Sequence, residues 1–219
     1  MIELTPASIR EIPQNGPTDP IEYYKRPLVG RLFRERINLG LRMLGERRFR
    51  RVLEVGYGSG ALLLHIAPIA DELSGIDLDA KPDEVKAVLA ERGVSASLTQ
   101  GSVLSMPYPA GQFDLVVCFS TLEHIRPYDE ALREISRILV PGGLFLLGMP
   151  SVNKMMEAGF RLIGFKGIED HHVTTPAEVS SRFSDTGFHL LKTNNLRMPP
   201  LLRPQITLYH NWLLQKDFR

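Results

Sequence analysis

The stretch Val52-Leu53-Glu54-Val55-Gly56-Tyr57-Gly58-Ser59-Gly60 carries an apolar run into a glycine-rich turn, and residues 61–66 continue it as a helical pattern. Glycines two positions apart let the backbone turn sharply and come closer to a ligand than a side chain would permit. Free amide N–H groups at the start of the following helix face an anion. A strand, turn and helix in this order mark a small-molecule cofactor site at the carboxyl end of the strand.

The turn has two readings. Residues 56–61 fit G-x-G-x-x-A, a variant of the dinucleotide fingerprint, and Glu54 to Gly60 fits the E-x-G-x-G-x-G loop of S-adenosylmethionine enzymes. Leu73-Ser74-Gly75-Ile76-Asp77-Leu78 is a second short apolar strand ending in a carboxylate, 21 positions after Gly56. A carboxylate there accepts hydrogen bonds from ribose hydroxyls, which both cofactors possess.

Three later segments decide between them: Gly101-Ser102-Val103-Leu104-Ser105-Met106-Pro107-Tyr108, then Phe113 through Ile125, then Leu132 through Leu146 with its Pro141-Gly142-Gly143 turn. Over residues 50–190 the chain resembles the class I S-adenosylmethionine-dependent methyltransferases, especially those that modify quinone precursors and other small metabolites. The resemblance implies an α/β, Rossmann-like fold: a seven-stranded, mostly parallel sheet with helices on both faces, a reversed final strand and an N-terminal helical cap. It implies S-adenosylmethionine as cofactor and methyl transfer to a small-molecule acceptor, with O- or C-methylation ahead of N-methylation. A nicotinamide-dependent enzyme and a cofactor-binding regulatory subunit without turnover are the alternatives.

Carried over residue by residue, the family pattern sets Gly56, Gly58 and Gly60 beside the methionine moiety, with Glu54 supporting that end or anchoring the loop. Asp77 holds the ribose hydroxyls and Leu78 offers an apolar face to the adenine. Ser102 and Val103 edge the adenine, although the family usually has an acidic residue where this chain has Ser102; a serine hydroxyl is a weaker partner for the exocyclic amine. Ser120 meets the methionine amino group, and Leu122-Glu123-His124-Ile125 faces the acceptor. His124, His171 and His172 are candidate general bases, each equally able to stabilise a loop, and Tyr23 and Tyr24 are candidate lid residues. Glu169-Asp170-His171-His172 superficially suggests a metal cluster, but adjacent side chains rarely converge on one ion, and no metal is expected.

Two hundred and nineteen residues with a formal net charge of +1 fit one α/β domain with no global pull toward nucleic acid or membrane. Residues 1–48 read as an arm and helical cap of the same domain, and 49–219 as the core, with an acceptor-pocket insertion around 151–182. Pro6, Pro13, Pro17 and Pro20 favour an irregular arm. Residues 21–48 turn helical, as two short helices with a break near Gly40. Between Lys25 and Arg51, ten Lys or Arg residues face Glu35 and Glu46 alone, which is an electrostatic platform for an anionic ligand or simply a solvated face. Aromatic residues interleaved for base stacking are sparse there, so nucleic acid is not expected. No apolar run reaches the roughly 18 residues of a membrane span, and the lone Cys118 excludes a disulfide framework, so the expected setting is the cytoplasm.

Beyond the cap, strands are expected at 52–55, 73–77, 96–99, 114–119 and 144–149, helices from about 60, at 82–92 and at 128–138, and further strands at 188–194 and 205–212. This alternation is that of parallel β-α-β units.

Overall fold

The computed structural model describes residues 3–16, 19–151, 173–197 and 206–218. Its sheet is built from β1 (Phe49–Val55), β2 (Ala70–Asp77), β3 (Ser97–Gln100), β4 (Phe113–Phe119), β5 (Leu139–Pro150), β6 (Phe188–Thr193), β7 (Leu196–Arg197) and β8 (Thr207–Lys216). The spatial order is β3-β2-β1-β4-β5-β8-β6, with the two-residue β7 also on β8. The five strands from β3 to β5 pair in parallel, and β8 runs antiparallel to both β5 and β6. The seven-stranded path and its reversed strand are those expected, and β7 makes an eighth.

The central strands are largely apolar because helices cover both faces. Successive side chains alternate between faces, so Val52, Leu115 and Val117 join one core, while Leu53, Val116 and Cys118 join the other. The first core is covered by α1 (Pro6–Ile9), α2 (Ile21–Lys25), α3 (Pro27–Leu41), α4 (Ala61–Ile66) and α5 (Pro82–Ala90); the second by α6 (Tyr128–Ile138) and α7 (Pro176–Ser180). The chain leaves β1 toward β2 on one side and returns to β4 on the other. This reversal opens a crevice beyond the carboxyl ends of β1 and β4.

Three local expectations need correction. The break in the cap lies at Arg26 and Pro27, not near Gly40: proline has no N–H for a helical bond, and Arg26 is extended at ψ 142°. Gly40 instead lies inside α3 at a close approach, where a Cβ would sit 2.7 Å from the Phe119 ring and 2.9 Å from Asn211 Oδ1. The Pro141-Gly142-Gly143 turn is a bulge within β5 rather than a turn before it. Leu139 pairs with Phe113 and Leu144 with Leu115, so five steps on one strand oppose two on the other. The final strand starts later than expected and runs to Lys216.

The arm is also more structured than its prolines suggest. Pro6 occupies the first turn of α1, where a missing N–H costs nothing, and Thr5 and Ser8 form a reciprocal capping box. Leu4, Ile9, Ile12 and Ile21 are buried in the same core as Ile37 and Leu41. Asn38 clasps the arm to α3, accepting from the Leu4 N–H at 2.8 Å and donating to the Leu4 carbonyl at 3.2 Å. Most of the expected insertion, residues 152–172, lies outside the described residues, and His171 and His172 with it. Among the described residues no helix is long and apolar enough to cross a membrane.

Replacing Asn38 with Ala removes both bonds and leaves two buried backbone groups of the arm without partners. We expect a loss of about 1–3 kcal/mol in the urea midpoint-derived stability, with proteolysis beginning in residues 3–12; an unchanged midpoint would show that the clasp carries no weight.

Candidate active site

The loop after β1 holds its shape because only glycine fits it. Gly56 has φ +79°, and a Cβ there would collide with the Thr121 hydroxyl. Its N–H donates to the Ile76 carbonyl at 2.8 Å. Gly58, at φ +49°, donates its N–H to Asp77 Oδ2 at 2.9 Å. The other oxygen of Asp77 accepts from the N–H groups of Asp79 and Ala80, both at 2.9 Å. The carboxylate therefore ties the turn after β1 to the turn after β2 and still presents an oxygen lone pair to the crevice.

That crevice is a cavity of about 430 Å³, the size of small-ligand pockets. Glu54, Gly56, Gly58, Asp77, Leu78, Ser102, Val103, Ser120, His124 and Tyr24 all line it. Gly60 stands behind the loop against Val85 of α5 and is not part of the lining. Tyr23 is not part of it either. Neighbouring helix positions point in different directions, and Tyr23 stacks on Phe33 at 5.8 Å under the Arg26 guanidinium while Tyr24 turns inward.

At the loop end the lining is acidic. Glu54 is buried with Oε2 lacking a hydrogen-bond partner, and the hydroxyl of buried Tyr57 lacks one too. Burial, and then the nearby charges of Asp77 and Asp19, raise the Glu54 carboxyl well above its ordinary pKa. Asp19 is a site residue that sequence reasoning missed. It comes from the Pro-rich arm, and nothing local in that arm signals a partner some 40 residues away. Its carboxylate accepts from the Asn15 and Ile21 N–H groups at 2.9 and 3.1 Å and from the Ser59 hydroxyl at 3.4 Å.

At the adenine end expected from the sequence, Leu78 is 63% exposed and Val103 is buried. The Ser102 hydroxyl accepts from the Leu104 N–H at 3.2 Å, which leaves its own proton available. The opposite end is built around Ser120, whose φ of +55° is unusual for a residue with a side chain. Its Oγ meets the hydroxyl of fully buried Tyr209 at 2.8 Å. Arg36 lies across the rings of Phe33 and Tyr209, 4.5 and 5.0 Å from their centroids, and donates to the Tyr24 hydroxyl at 3.0 Å. Arg36 and Tyr209 also escaped the sequence reading.

Glu123 is 1% exposed, and its Oε2 has no hydrogen-bond partner. Burial pushes its carboxyl up to about 8, against the opposing pull of Arg36. His124 is half-exposed, its Nε2 4.0 Å from Glu123 Oε1. The basic segment proves partly internal: Arg34 donates to the Tyr24 carbonyl and Arg36 is enclosed among aromatic rings, while Arg42 pairs with Glu3 and Glu35 at the surface.

Glycine loop, ribose-height carboxylate, apolar ledge and unpartnered buried acceptor together fit a nucleoside carrying a cationic amino-acid tail. Comparison with known proteins agrees. Residues 53–147 match the family model for a methyltransferase domain, a family whose members use S-adenosylmethionine as methyl donor. The chain is 34% identical over 121 residues to the methyltransferase YcgJ of Bacillus subtilis strain 168, covering 53% of this chain and 48% of that protein, so it spans about half the length of that relative. It is 28% identical over 167 residues to the ubiquinone biosynthesis O-methyltransferase of Azoarcus sp. strain BH72, covering 70% of each. The crystal structure of YcgJ superposes with a TM-score of 0.64 at 21% identity, covering 84% of this chain and 99% of that one. The [4+2]-cyclase SpnF superposes at 0.68 with 17% identity, covering 94% and 88%. At these identities the structural matches speak for the fold alone.

The Glu123 carboxyl has a consequence for stability. Between its ordinary 4.5 and about 8, the unfolded chain releases a proton that the folded chain keeps, so stability falls as pH rises through that window. Glu123→Gln should flatten the decline, gaining more than ~1 kcal/mol on the wild type between pH 5 and pH 9. Parallel stability curves for the two proteins in urea would remove Glu123 as the cause.

Proposed function

We propose that this chain transfers the methyl group of S-adenosylmethionine to a small-molecule acceptor, an oxygen or carbon nucleophile ahead of a nitrogen one. The observation that carries this reading is the Asp77 carboxylate bound to Gly58 beside the unpartnered Glu54 oxygen in one cavity. The O-methyltransferase from Azoarcus, which the chain matches over 70% of both lengths, supports oxygen as the acceptor atom.

In this reading Glu54, Gly56 and Gly58 hold the methionine end, and Gly60 fixes the loop from behind. Asp77 takes the ribose hydroxyls, Leu78 and Val103 clasp the adenine, and Ser102 reaches its edge. Ser120 meets the amino group, and Tyr24 closes the acceptor side. When bound, the cofactor supplies an electrophilic methyl on a good thioether leaving group, so the chain's work is mainly alignment and exclusion of water. A hydroxyl acceptor must also lose a proton; we assign its removal to His124 in the lining, with His171 and His172 as the alternatives. A base so placed is worth roughly 10²–10⁴-fold.

Incubation with S-adenosylmethionine and a panel of phenolic, enolic and amine acceptors, read by formation of S-adenosylhomocysteine, tests the activity. Binding without turnover on any acceptor would favour a regulatory role, in keeping with the variety of chemistry that one fold can host. For the cofactor, Asp77→Ala should weaken both S-adenosylmethionine and S-adenosylhomocysteine by roughly 1.5–3 kcal/mol in calorimetry through lost charge-assisted hydrogen bonds. Unchanged affinity in a folded variant would remove Asp77 from the site.

A further inference from the structure

Three carboxylates converge on the glycine loop, and one of them has no counterpart in the core motifs. Asp19 reaches the loop from the N-terminal arm, lines the same cavity as Glu54 and Asp77, and brings Oδ1 to 3.3 Å from where a Cβ on Gly58 would be. Among the residues lining this cavity the sole Lys or Arg is Arg126, which is engaged with the Val173 carbonyl and Glu178 at 2.6 and 3.5 Å. The carboxyl groups at the loop end therefore have no Lys or Arg partner among the residues lining the cavity. Two unpartnered polar groups point to a ligand there: Glu54 Oε2 and the Tyr57 hydroxyl, on side chains 4% and 3% exposed.

We propose that Asp19 is a specificity-determining residue of the cofactor site, through which the arm makes the pocket prefer the cationic sulfonium donor over its neutral thioether product. The inference rests on S-adenosylmethionine being the ligand of this cavity. Donor and product share adenine, ribose and amino-acid groups and differ by one methyl and one positive charge, so a fixed anion near the tail separates them by Coulomb attraction. Burial, with the nearby charge of Asp77, disfavours the ionised form of Asp19, so a cation bound beside it would stabilise the carboxylate. The arrangement would favour product release, because methyl loss cancels the charge that Asp19 attracts.

The bland role for Asp19 is a strap, since it accepts from Asn15, Ile21 and Ser59. A strap and a charge selector give different readouts. Affinities of S-adenosylmethionine and S-adenosylhomocysteine are measured by calorimetry for wild type, Asp19→Asn, Asp19→Ser and Ser59→Ala. Asp19→Ser keeps an oxygen that can cap Ile21, so it carries the test if Asp19→Asn does not fold. The preference for the donor over the product should drop roughly tenfold in either Asp19 variant, mostly through weaker donor binding. It should survive in Ser59→Ala, which loosens the strap and retains the charge. Equal weakening of both ligands, or an unchanged ratio, would overturn the proposal while leaving the cofactor assignment standing. Failure of the wild type to bind either nucleoside would overturn both.

Discussion

The cavity depends on one carboxylate. Asp77 sits at the last position of β2 and receives N–H groups from Gly58 on one oxygen and from Asp79 and Ala80 on the other. Without it, the glycine turn would have to satisfy its amide from water or close onto itself. With it, the turn is held open over the ends of β1 and β2, and α4 starts at Gly60 in a left-handed conformation. Gly56 completes the arrangement, because its missing Cβ lets Thr121 approach from the end of β4. The glycine loop, Asp77 and the segment at Thr121 are in this way a single mechanical unit.

Charge is segregated along that unit. Asp19, Glu54 and Asp77 cluster at the loop, whereas the wall beyond Ser120 is backed by Arg36, set among Tyr24, Phe33 and Tyr209. Burying a guanidinium is costly unless something compensates. Here the compensation is the faces of three aromatic rings and the Tyr24 hydroxyl. The same packing explains why part of the basic segment is not a surface feature: Arg34 and Arg36 spend donors inside the cap, whereas Arg42 pairs with Glu3 and Glu35 at its surface.

What the sequence revealed was whatever is encoded within a few residues. The strand-turn-helix at 52–66 and the carboxylate ending β2 are local patterns with a local physical cause. Asp19, Arg36, Thr121 and Tyr209 have none. Each acquires its role from a partner far along the chain, and the polar character of Asp19 and Arg36 reads in sequence as a solvated loop and a solvated helix face. The arm illustrates the same limit from the other side. Its prolines argue for irregularity, but Leu4, Ile9, Ile12 and Ile21 are spaced to reach a core that only the folded sheet creates.

Ser120 shows how the wall of the cavity opposite the adenine-side residues is built. A left-handed residue with a side chain costs on the order of 1–2 kcal/mol, and here it persists because both of its polar groups are held. The N–H donates to the Gly148 carbonyl at 2.9 Å and Oγ is tied to Tyr209 at 2.8 Å. The bend stops β4 at Phe119 and turns residues 121–127 across the cavity mouth instead of along the sheet. Tyr209 in turn is fixed by β8 pairing with Pro150, so the reversed strand sets the geometry of the cavity wall at Ser120. Asp77 at the end of β2 anchors the loop, while Tyr209 and the Gly148 carbonyl, on β8 and β5, anchor the opposite wall, so the two ends of the cavity are held by different strands.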